Sequence, residues 1–493
     1  MNYSIIFKLL SIIFATIALA FGAALGVSMV YAENAFEAGA YESWVASVAI
    51  AAVFSLIFYL PSRNSPKKIF RREALCVVGL GWILCSILGA IPYALILNCG
   101  FADAFFESVS GFTSTGASVF ADVESFPKSI LFWRALTQWI GGLGVVVFFV
   151  ALLSSLGTGA KTLYGRESGS SDASMIDGER MQMKVLKIIL LYFCLSALCC
   201  GAYFAAGMPI FDAICHMMAT VSTGGFSVKN DSFASYGALS ISWIAILFMF
   251  LGGTNFAVIL MILGRKFREA FRNSELKTYV LIVSALSLGI FLSIAKFEAF
   301  APREIFRSLT NSVFMVVSII TSTGFVNADY QKWLPVTHVL IFFMFVVGGS
   351  SGSTSGGIKI YRALAVLKIG LNNIEKSFRT NVVRLVRMNG RAMSDSQARD
   401  ILSYIALYVV IATLATVLLA AFEPNLSFGG CISTAVSAIS NMGPGLNETS
   451  PAQTYAFFNP SSKFLLSIIM IMGRLEFYAI LALFMPSLWR SFK

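Results

Sequence analysis

The chain has 493 residues, of which 57% are hydrophobic and only 12% are charged. Soluble domains carry about 25% charged residues, so this composition excludes a soluble enzyme or binding protein and indicates a membrane protein with many spans. The formal net charge of +11 does not indicate nucleic-acid binding, because the basic residues cluster in alternate loops between apolar segments.

Three basic loops are predicted to be cytoplasmic, since Lys and Arg favour that side of the membrane. Their residues are Arg63, Lys67, Lys68, Arg71 and Arg72, then Lys161, Arg166, Arg180, Lys184 and Lys187, then Arg265, Lys266, Arg268, Arg272 and Lys277. Alternate loops carry acidic residues instead, namely Glu33, Glu37, Glu42 and Asp103. Both termini are therefore predicted to be cytoplasmic.

Apolar segments long enough to cross the ~30 Å hydrocarbon core recur along the chain. Ten are predicted, at 9–31, 44–60, 74–97, 129–156, 188–206, 239–263, 279–295, 336–367, 401–422 and 463–485. The first two form an N-terminal hairpin, and the other eight form four pairs.

Each of the four pairs encloses a short predicted helix and then a loop of small residues. The helices are predicted at 102–111, 210–219, 304–319 and 426–439. The loops contain Ser114-Thr115-Gly116, Ser222-Thr223-Gly224, Ser322-Thr323-Gly324 and Asn441-Met442-Gly443. One Ser-Thr-Gly would be an ordinary turn, but four copies in the same context indicate a repeated functional unit.

The chemistry of these loops predicts a cation filter. Irregular backbone at membrane depth is tolerated only inside protein or along a watery cavity, and rings of carbonyl oxygens can replace the hydration shell of a monovalent cation. Glycine permits the positive φ that turns a carbonyl inward, which we expect at Gly116, Gly224, Gly324 and Gly443. Hydroxyl groups of Thr115, Thr223 and Thr323 would add oxygens. The fourth loop lacks this hydroxyl, so selectivity over Na⁺ is expected to be modest.

A glycine- and serine-rich run interrupts the predicted helix 336–367. It comprises Gly348, Gly349, Ser350, Ser351, Gly352, Ser353, Thr354, Ser355, Gly356 and Gly357, with Lys359 soon after. Glycine costs about 1 kcal/mol per helical position relative to alanine, so the helix should break there. A nucleotide-binding P-loop is excluded because neither its Gly-Lys-Ser/Thr ending nor a preceding strand is present. Two interpretations stay open: tight helix packing, or an unwound loop that blocks and clears the ion path.

Arg474 is a charge within the apolar segment 463–485. Such a charge costs at least about 2.5 kcal/mol and therefore faces a cavity or a partner. Glu476 lies two residues further on, toward a different side of a helix. We therefore expect the two side chains not to pair with each other.

These motifs together resemble the Trk/Ktr/HKT superfamily of potassium transporters. The resemblance rests on the four loops with the flanking residues Phe106-Glu107-Ser108, Ser110-Gly111-Phe112-Thr113, Ala117, Gly225-Phe226-Ser227, Phe325 and Pro444-Gly445, on the run 348–359, and on Gly473-Arg474-Leu475-Glu476. It covers nearly the whole chain. The two helices before the first repeat are similar to the TrkH/TrkG branch.

The resemblance implies an all-α polytopic membrane protein with four helix–pore loop–helix repeats around a central ion pore, preceded by two extra helices. It implies potassium uptake across the bacterial inner membrane, with K⁺ ions in the pore and no covalent cofactor. The run 348–357 would act as a gate, and Arg474 would project into the pore beside it. A homodimer with one pore per protomer, and a cytoplasmic nucleotide-binding regulatory ring of the TrkA type, are the partners implied.

The chain is accordingly divided into six parts. They are a hairpin with its basic loop (1–73), repeat 1 (74–160), a polar cytoplasmic linker (161–187), repeat 2 (188–277), repeat 3 with the gate and a basic linker (278–400) and repeat 4 (401–493). The linker 161–187 is expected to be mobile. The basic segment 362–400 is expected to be helical and to contact anionic headgroups, the regulatory ring, or both.

Alternatives within transport stay open: a channel-like conduit, a symporter coupled to H⁺ or Na⁺, or a Na⁺-preferring pore. Coupling usually needs a membrane-embedded acid, for which Glu107 and Asp212 are the candidates. In the resembling family a serine in place of the first filter glycine accompanies Na⁺ preference, whereas this chain has Gly116. The eight cysteines and two histidines show no metal-binding or disulfide pattern. No catalytic constellation occurs in the apolar segments, so an enzyme is not expected.

Overall fold

The computed structural model describes residues 1–33, 37, 39–63, 65, 70–155, 178–294, 302–379, 385–451 and 453–489. Most of the predicted linker, at positions 161–177, lies outside the described residues, as do the basic residues Lys67, Lys68, Lys161 and Arg166. Side chains at 145–155, 178–182 and 184 also lie outside the description.

The N-terminal hairpin consists of α1 (Tyr3–Val30) and α2 (Ala40–Tyr59). The side chain of Asn2 accepts a hydrogen bond from Ser4 N and so begins α1 about one and a half turns before the apolar run at residue 9. Edge-on contacts of Phe14 with Phe58 join the two helices. Phe21 and Trp44 pack on Trp133, which fixes the hairpin against the first repeat.

The four repeats follow one order: a membrane helix, a short pore helix, a loop and a second membrane segment. Repeat 1 has α3 (Arg71–Ile96), α4 (Phe101–Phe112) and α5 (Lys128–Ser155). Repeat 2 has α6 (Gly178–Ala205), α7 (Ile210–Val221), α8 (Leu239–Gly252), α9 (Phe256–Leu263) and the short α10 (Phe267–Ala270). The pore helices α4 and α7 match their predicted bounds within two residues.

Repeats 3 and 4 complete the chain. Repeat 3 has α11 (Ser274–Ile294), α12 (Pro302–Ile320), α13 (Pro335–Val346) and α14 (Ile360–Phe378). Repeat 4 has α15 (Asp395–Phe422), α16 (Phe428–Ile439), α17 (Pro460–Arg474), α18 (Tyr478–Leu483) and α19 (Pro486–Trp489). This order confirms the all-α polytopic class. Two short strands, Arg387–Met388 and Arg391–Ala392, pair between α14 and α15, so the basic segment 362–400 is helical only in part.

The second membrane segments of repeats 2 to 4 are interrupted. Of the helices within the described residues, six are long and apolar enough to cross a membrane, or seven if α8 and α9 count as one bent span. The predicted spanning segment 239–263 consists of two helices, because α8 and α9 meet at 103°. Asn255 explains the break: its side chain accepts a hydrogen bond from Ala257 N and thereby caps a new helix. In repeat 4 the helix ends at Arg474, and Glu476 and Phe477 adopt positive φ.

Two large apolar clusters hold the repeats together. One joins the N-terminal hairpin to repeats 1 and 4, and the other joins repeats 2 and 3. The four pore helices contribute residues to these clusters. Their last turns are buried throughout, which places the loops that follow them inside the protein.

Candidate functional site

All four pore helices end in the same backbone geometry. Two residues after each helix, the chain adopts positive φ at Ser114, Thr223, Ser322 and Asn441. The next residue donates its N–H to the carbonyl five positions back, from Thr115 to Ser110, Gly224 to Ala219, Thr323 to Ser318 and Met442 to Ser437. A glycine with positive φ then follows in each loop, at Gly116, Gly225, Gly324 and Gly443. The four loops therefore share one pattern of backbone conformation and hydrogen bonding.

This geometry corrects the register of the second loop. Positive φ was predicted at Gly224, but the glycine that adopts it is Gly225. Gly224 takes the place of Thr115, and Thr223 takes the place of Ser114. The prediction aligned Ser222 with Ser114, whereas Ser222 caps α7 just as Thr113 caps α4. Positive φ at Gly116, Gly324 and Gly443 is confirmed.

The four loops meet around one axis in chain order. Each positive-φ glycine lies so close to a carbonyl oxygen of the next loop that a Cβ atom would collide with it. The pairs are Gly116 with Gly224, Gly225 with Thr323, Gly324 with Met442 and Gly443 with Thr115. We call the carbonyl oxygens of Thr115, Gly224, Thr323 and Met442 the filter ring.

A cavity of about 120 Å³ opens on one side of the filter ring, and we call it the vestibule. All four positive-φ glycines line it, whereas Gly224 does not. The pore helices end next to the ring, so the negative ends of their dipoles lie there. Backbone oxygens and helix C-termini together favour a positive ion at this position.

In two of the loops, hydrogen bonds between side-chain hydroxyls join residues of the same loop. Thr113 and Thr115 share a hydrogen bond of 2.7 Å between their Oγ1 atoms, and Thr321 and Thr323 share one of the same length. The other two loops have Gly224 and Met442 in place of this second threonine. The expected hydroxyl of Thr223 is not at the ring position, because it points to Thr354 Oγ1 at 3.1 Å.

The run 348–357 forms an unwound segment on the side opposite the vestibule, and we call it the buried loop. Its ends lie side by side: Gly348 N donates to Ile358 O at 2.9 Å, and Ile358 N donates to Val346 O at 3.0 Å. The helix therefore breaks as predicted, and α13 and α14 flank the loop. The alternative of a continuous helix packed through small residues is excluded.

The buried loop contacts three of the four filter loops. Thr354 Oγ1 donates to the carbonyl of Val221 at the end of α7, at 3.2 Å. Gly356 N donates to Ser322 Oγ at 2.5 Å. A Cβ on Gly356 would collide with the carbonyl oxygen of Ser440. The loop thus lies directly beneath filter loops 2, 3 and 4.

Arg474 connects the buried loop to the first filter loop. Its Nη1 donates to Thr354 O at 2.7 Å, and its Nη2 lies 3.3 Å from Ser114 Oγ. The side chain is buried, and a buried charge needs hydrogen-bond partners such as these. Lys359 reaches back from the start of α14 and donates to the carbonyl of Ser355.

Glu476 belongs to a different contact, in line with the prediction that it does not pair with Arg474. Two guanidinium nitrogens of Arg362 donate to its carboxylate, at 3.1 and 2.5 Å. The Arg362 guanidinium also lies 4.0 Å from the ring centre of Tyr404. This pair links α14 to the end of α17.

Sequence reasoning missed Glu275, which holds the buried loop from the side. This residue lies in the first turn of α11 and is buried, and its Oε1 accepts hydrogen bonds from Ser351 N at 2.6 Å and Tyr361 N at 3.3 Å. An acidic residue at a helix start is common, so no local signal marked it.

A second fourfold motif was also missed, although it was visible in the sequence. The second membrane segments contain Ile140-Gly141-Gly142, Leu251-Gly252-Gly253, Val347-Gly348-Gly349 and Met472-Gly473-Arg474. Gly141, Gly252 and Gly473 each lie against a carbonyl at the end of their own pore helix. Arg474 therefore occupies a position where the other three repeats have glycine.

The candidate coupling acids are engaged in structural contacts. Glu107 is fully buried and forms a salt bridge of 2.8 Å with Arg134. It also accepts hydrogen bonds from Ser118 Oγ and Val119 N, at 3.0 and 3.1 Å. Asp212 accepts a hydrogen bond from the hydroxyl of Tyr236 at 2.9 Å. Within the described residues no cluster of His, Cys, Asp and Glu suited to a resident metal occurs.

Comparisons with known proteins agree over almost the whole chain. The profile of the TrkH family, described as cation transport protein, matches residues 45–491. The Trk system potassium uptake protein TrkG of Escherichia coli is 32% identical over 87% of this chain and 88% of its own length. TrkI of Halomonas elongata is 30% identical over 99% and 97%. The crystal structure of the potassium transporter TrkH from Vibrio parahaemolyticus superimposes with a TM-score of 0.88 at 26% identity, over 99% of this chain and 100% of that one.

Proposed function

Because this chain belongs to the TrkH family of cation transport proteins, a family of membrane transporters and not of enzymes, we propose that it takes up potassium through the filter ring. The observation that carries the proposal is the closed succession of four glycine–carbonyl contacts around one axis. Four carbonyl oxygens so arranged can replace part of the hydration shell of K⁺. The relatives named above are potassium uptake proteins, which supports the choice of ion.

The ion path runs from the vestibule to the buried loop. A hydrated cation enters the vestibule, sheds water at the glycines and is held by the ring oxygens. The dipoles of the four pore helices lower its energy there. Release on the far side requires the buried loop to move, because that loop lies under three filter loops and is tied to the fourth by Arg474.

The buried loop and Arg474 serve as the gate in this proposal. The loop is held by hydrogen bonds to several helices, among them those from Glu275 of α11 and Arg474 of α17, so small displacements of α11, α14 or α17 change its position. Arg474 adds a fixed positive charge under the ring, which repels a cation that dwells there. The basic segment 362–400 begins within α14, so a movement of this segment would also change the position of the buried loop.

The setting of the protein completes the proposal. It is a multi-pass membrane protein, which we assign to the bacterial inner membrane with both termini cytoplasmic, as the basic loops indicate. A nucleotide-binding ring of the TrkA type docks on the cytoplasmic side, and two protomers associate side by side with one pore each. Chemical crosslinking that yields a tetramer around one shared axis contradicts this arrangement.

Coupled symport is the second candidate function, but the salt bridge between Glu107 and Arg134 is evidence against coupling through Glu107. A coupling carboxylate must gain and lose a proton or bind a second ion, whereas Glu107 is paired with Arg134 and accepts further hydrogen bonds. We therefore favour conduction down the electrochemical gradient.

Ion flux into proteoliposomes tests the function directly. Purified protein is reconstituted, and ⁸⁶Rb⁺ uptake is measured with unlabelled K⁺ or Na⁺ as competitor, with and without a pH gradient. We expect K⁺ to compete more strongly than Na⁺ and the pH gradient to leave the initial rate unchanged. Equal competition by both ions contradicts the K⁺ filter, and uptake that requires the pH gradient favours the symporter.

A further inference from the structure

The second filter loop differs from the others in having two consecutive glycines at the ring. Gly224 supplies the ring carbonyl, and Gly225 supplies the positive φ. Each of the other loops has only one glycine there, preceded by Thr115, Thr323 or Met442. Glycine has more backbone freedom than any other residue. Of the four loops, this one therefore depends most on contacts with other parts of the protein to hold its conformation.

Gln138 on α5 supplies such contacts with both ends of its amide. Its Nε2 donates to the ring carbonyl of Gly224 at 2.6 Å, and its Oε1 accepts from Phe226 N at 3.1 Å. Only the nitrogen can donate and only the oxygen can accept, so the two bonds fix the orientation of the amide. The side chain of Gln138 is thus hydrogen-bonded to the backbone on both sides of Gly225.

Gln138 also occupies the space of the missing threonine. A Cβ on Gly224 would lie 2.5 Å from the side-chain carbonyl carbon of Gln138 and 2.9 Å from its Cβ. In loops 1 and 3 the corresponding Cβ belongs to Thr115 and Thr323, whose hydroxyls brace their own loops. Within the described residues no side chain donates to the ring carbonyl of either threonine. The side chain of Gln138, which comes from a different helix, therefore fills the space that a threonine side chain fills in loops 1 and 3. A side chain at position 224 would collide with Gln138, which explains the glycine there.

We infer that Gln138 is a positioning residue that sets the ion selectivity of the filter by fixing the Gly224 carbonyl in the ring. The inference rests on the proposed potassium uptake and adds a residue outside the filter loops to it. A carbonyl oxygen has two lone pairs, so one accepts from Gln138 while the other remains for the ion. Without this bond the two glycines let the carbonyl turn away, and the ring loses its discrimination between K⁺ and Na⁺.

Two substitutions of similar volume separate hydrogen bonding from packing. Gln138→Met keeps the volume and removes both hydrogen bonds, whereas Gln138→Glu keeps the acceptor for Phe226 N and removes the donor to Gly224 O. The control is Gln331→Met, since the amide of Gln331 lies 3.5 Å from Asn447 O, away from the ring. The ratio of K⁺ to Na⁺ competition against ⁸⁶Rb⁺ uptake is measured in proteoliposomes, together with the melting temperature in detergent.

We expect both Gln138 variants to lower the K⁺/Na⁺ ratio by roughly five- to tenfold, as for loss of one or two buried hydrogen bonds, and Gln331→Met to leave it unchanged. If the parent and control select K⁺ and both Gln138 variants keep the parental ratio, the inference is wrong while the proposed function stands. A parent without K⁺ selectivity overturns the proposed function and this inference together.

If Gln138→Met and Gln138→Glu do not fold, a paired substitution tests the role of Gln138 instead. Gln138→Gly removes both hydrogen bonds and also the Cβ that a side chain at position 224 would meet, and Gln138→Gly combined with Gly224→Thr puts the threonine back in its own loop, as in loops 1 and 3. We expect the double variant to exceed Gln138→Gly in both yield and K⁺/Na⁺ ratio. A double variant no better than the single one overturns the inference.

Discussion

The guanidinium of Arg474 lies between the carbonyl oxygen of Thr354, at 2.7 Å, and Ser114, whose Oγ is 3.3 Å away. One side chain thus links the buried loop to the first filter loop. Because the charge is buried, its hydrogen bonds are worth more than those of an exposed arginine. The position of the buried loop therefore depends on this residue.

Replacement of Arg474 with alanine is expected to raise ion flux. It removes a charge-assisted hydrogen bond worth about 1.5 kcal/mol or more, which raises the open fraction of the loop by roughly tenfold. It also removes a positive charge from the ion path. Initial ⁸⁶Rb⁺ uptake per reconstituted protein measures the effect. Arg379→Ala is the control, since its guanidinium is exposed and pairs only loosely with Glu375 at 3.7 Å. Uptake no higher than in that control contradicts a gating role.

Shortening the buried loop is expected to raise flux as well. Residues 350–354 can be removed because a Cβ on Gly349 would lie 2.6 Å from Ser355 Oγ, so the new ends are already adjacent. The deletion leaves the pairing of Gly348 with Ile358 in place. Uptake and protein yield are measured together against the parent. A deletion variant that folds with parental yield and shows lower uptake than the parent would be decisive evidence against a gate here.

Serine at a filter glycine is expected to weaken K⁺ preference through the neighbouring loop. In Gly116→Ser, Gly225→Ser and Gly324→Ser the new Cβ pushes against a ring carbonyl, whereas in Gly224→Ser it meets Gln138. Gly207→Ser is a matched control, because Gly207 has a φ of +95° and open space around it. That control bears the backbone strain of about 1–2 kcal/mol without touching the ring. Unchanged K⁺/Na⁺ ratios in the three ring variants count against the filter assignment.

Removal of the Glu107 charge is expected to destabilise the protein without altering the pH dependence of uptake. Glu107→Gln leaves Arg134 buried without its counter-charge, which costs about 3–5 kcal/mol. Glu107→Gln combined with Arg134→Met should recover part of this loss, because it also removes the uncompensated buried charge of Arg134.

The exposed pair Glu124 with Lys229, at 3.0 Å, provides the comparison for Glu107. Glu124→Gln should lower the free energy of unfolding by no more than about 1 kcal/mol. Thermal unfolding in detergent measures all these variants. The opposite outcome has two parts: a pH gradient drives uptake by the parent, and a stable Glu107→Gln protein no longer responds to that gradient. This outcome would support coupling through Glu107.

The sequence by itself determined the features that depend on local composition. Apolar length predicted the membrane segments, and the fourfold small-residue motif predicted the pore loops, because residues near in sequence dictate helix ends and turns. Glycine content likewise predicted the unwinding at 348–357, since a helix rich in glycine is unstable wherever it lies.

The tertiary structure alone decided which of two adjacent glycines, Gly224 or Gly225, takes the positive φ. Both satisfy the local requirement, and in the observed arrangement the carbonyl of Gly224 accepts a hydrogen bond from Gln138, 86 residues away along the chain. The same holds for Glu275, whose partner Ser351 in the buried loop lies 76 residues further along the chain. Such contacts form only when the repeats close around one axis. Their energies come from buried hydrogen bonds between distant segments, and those carry no local sequence signal.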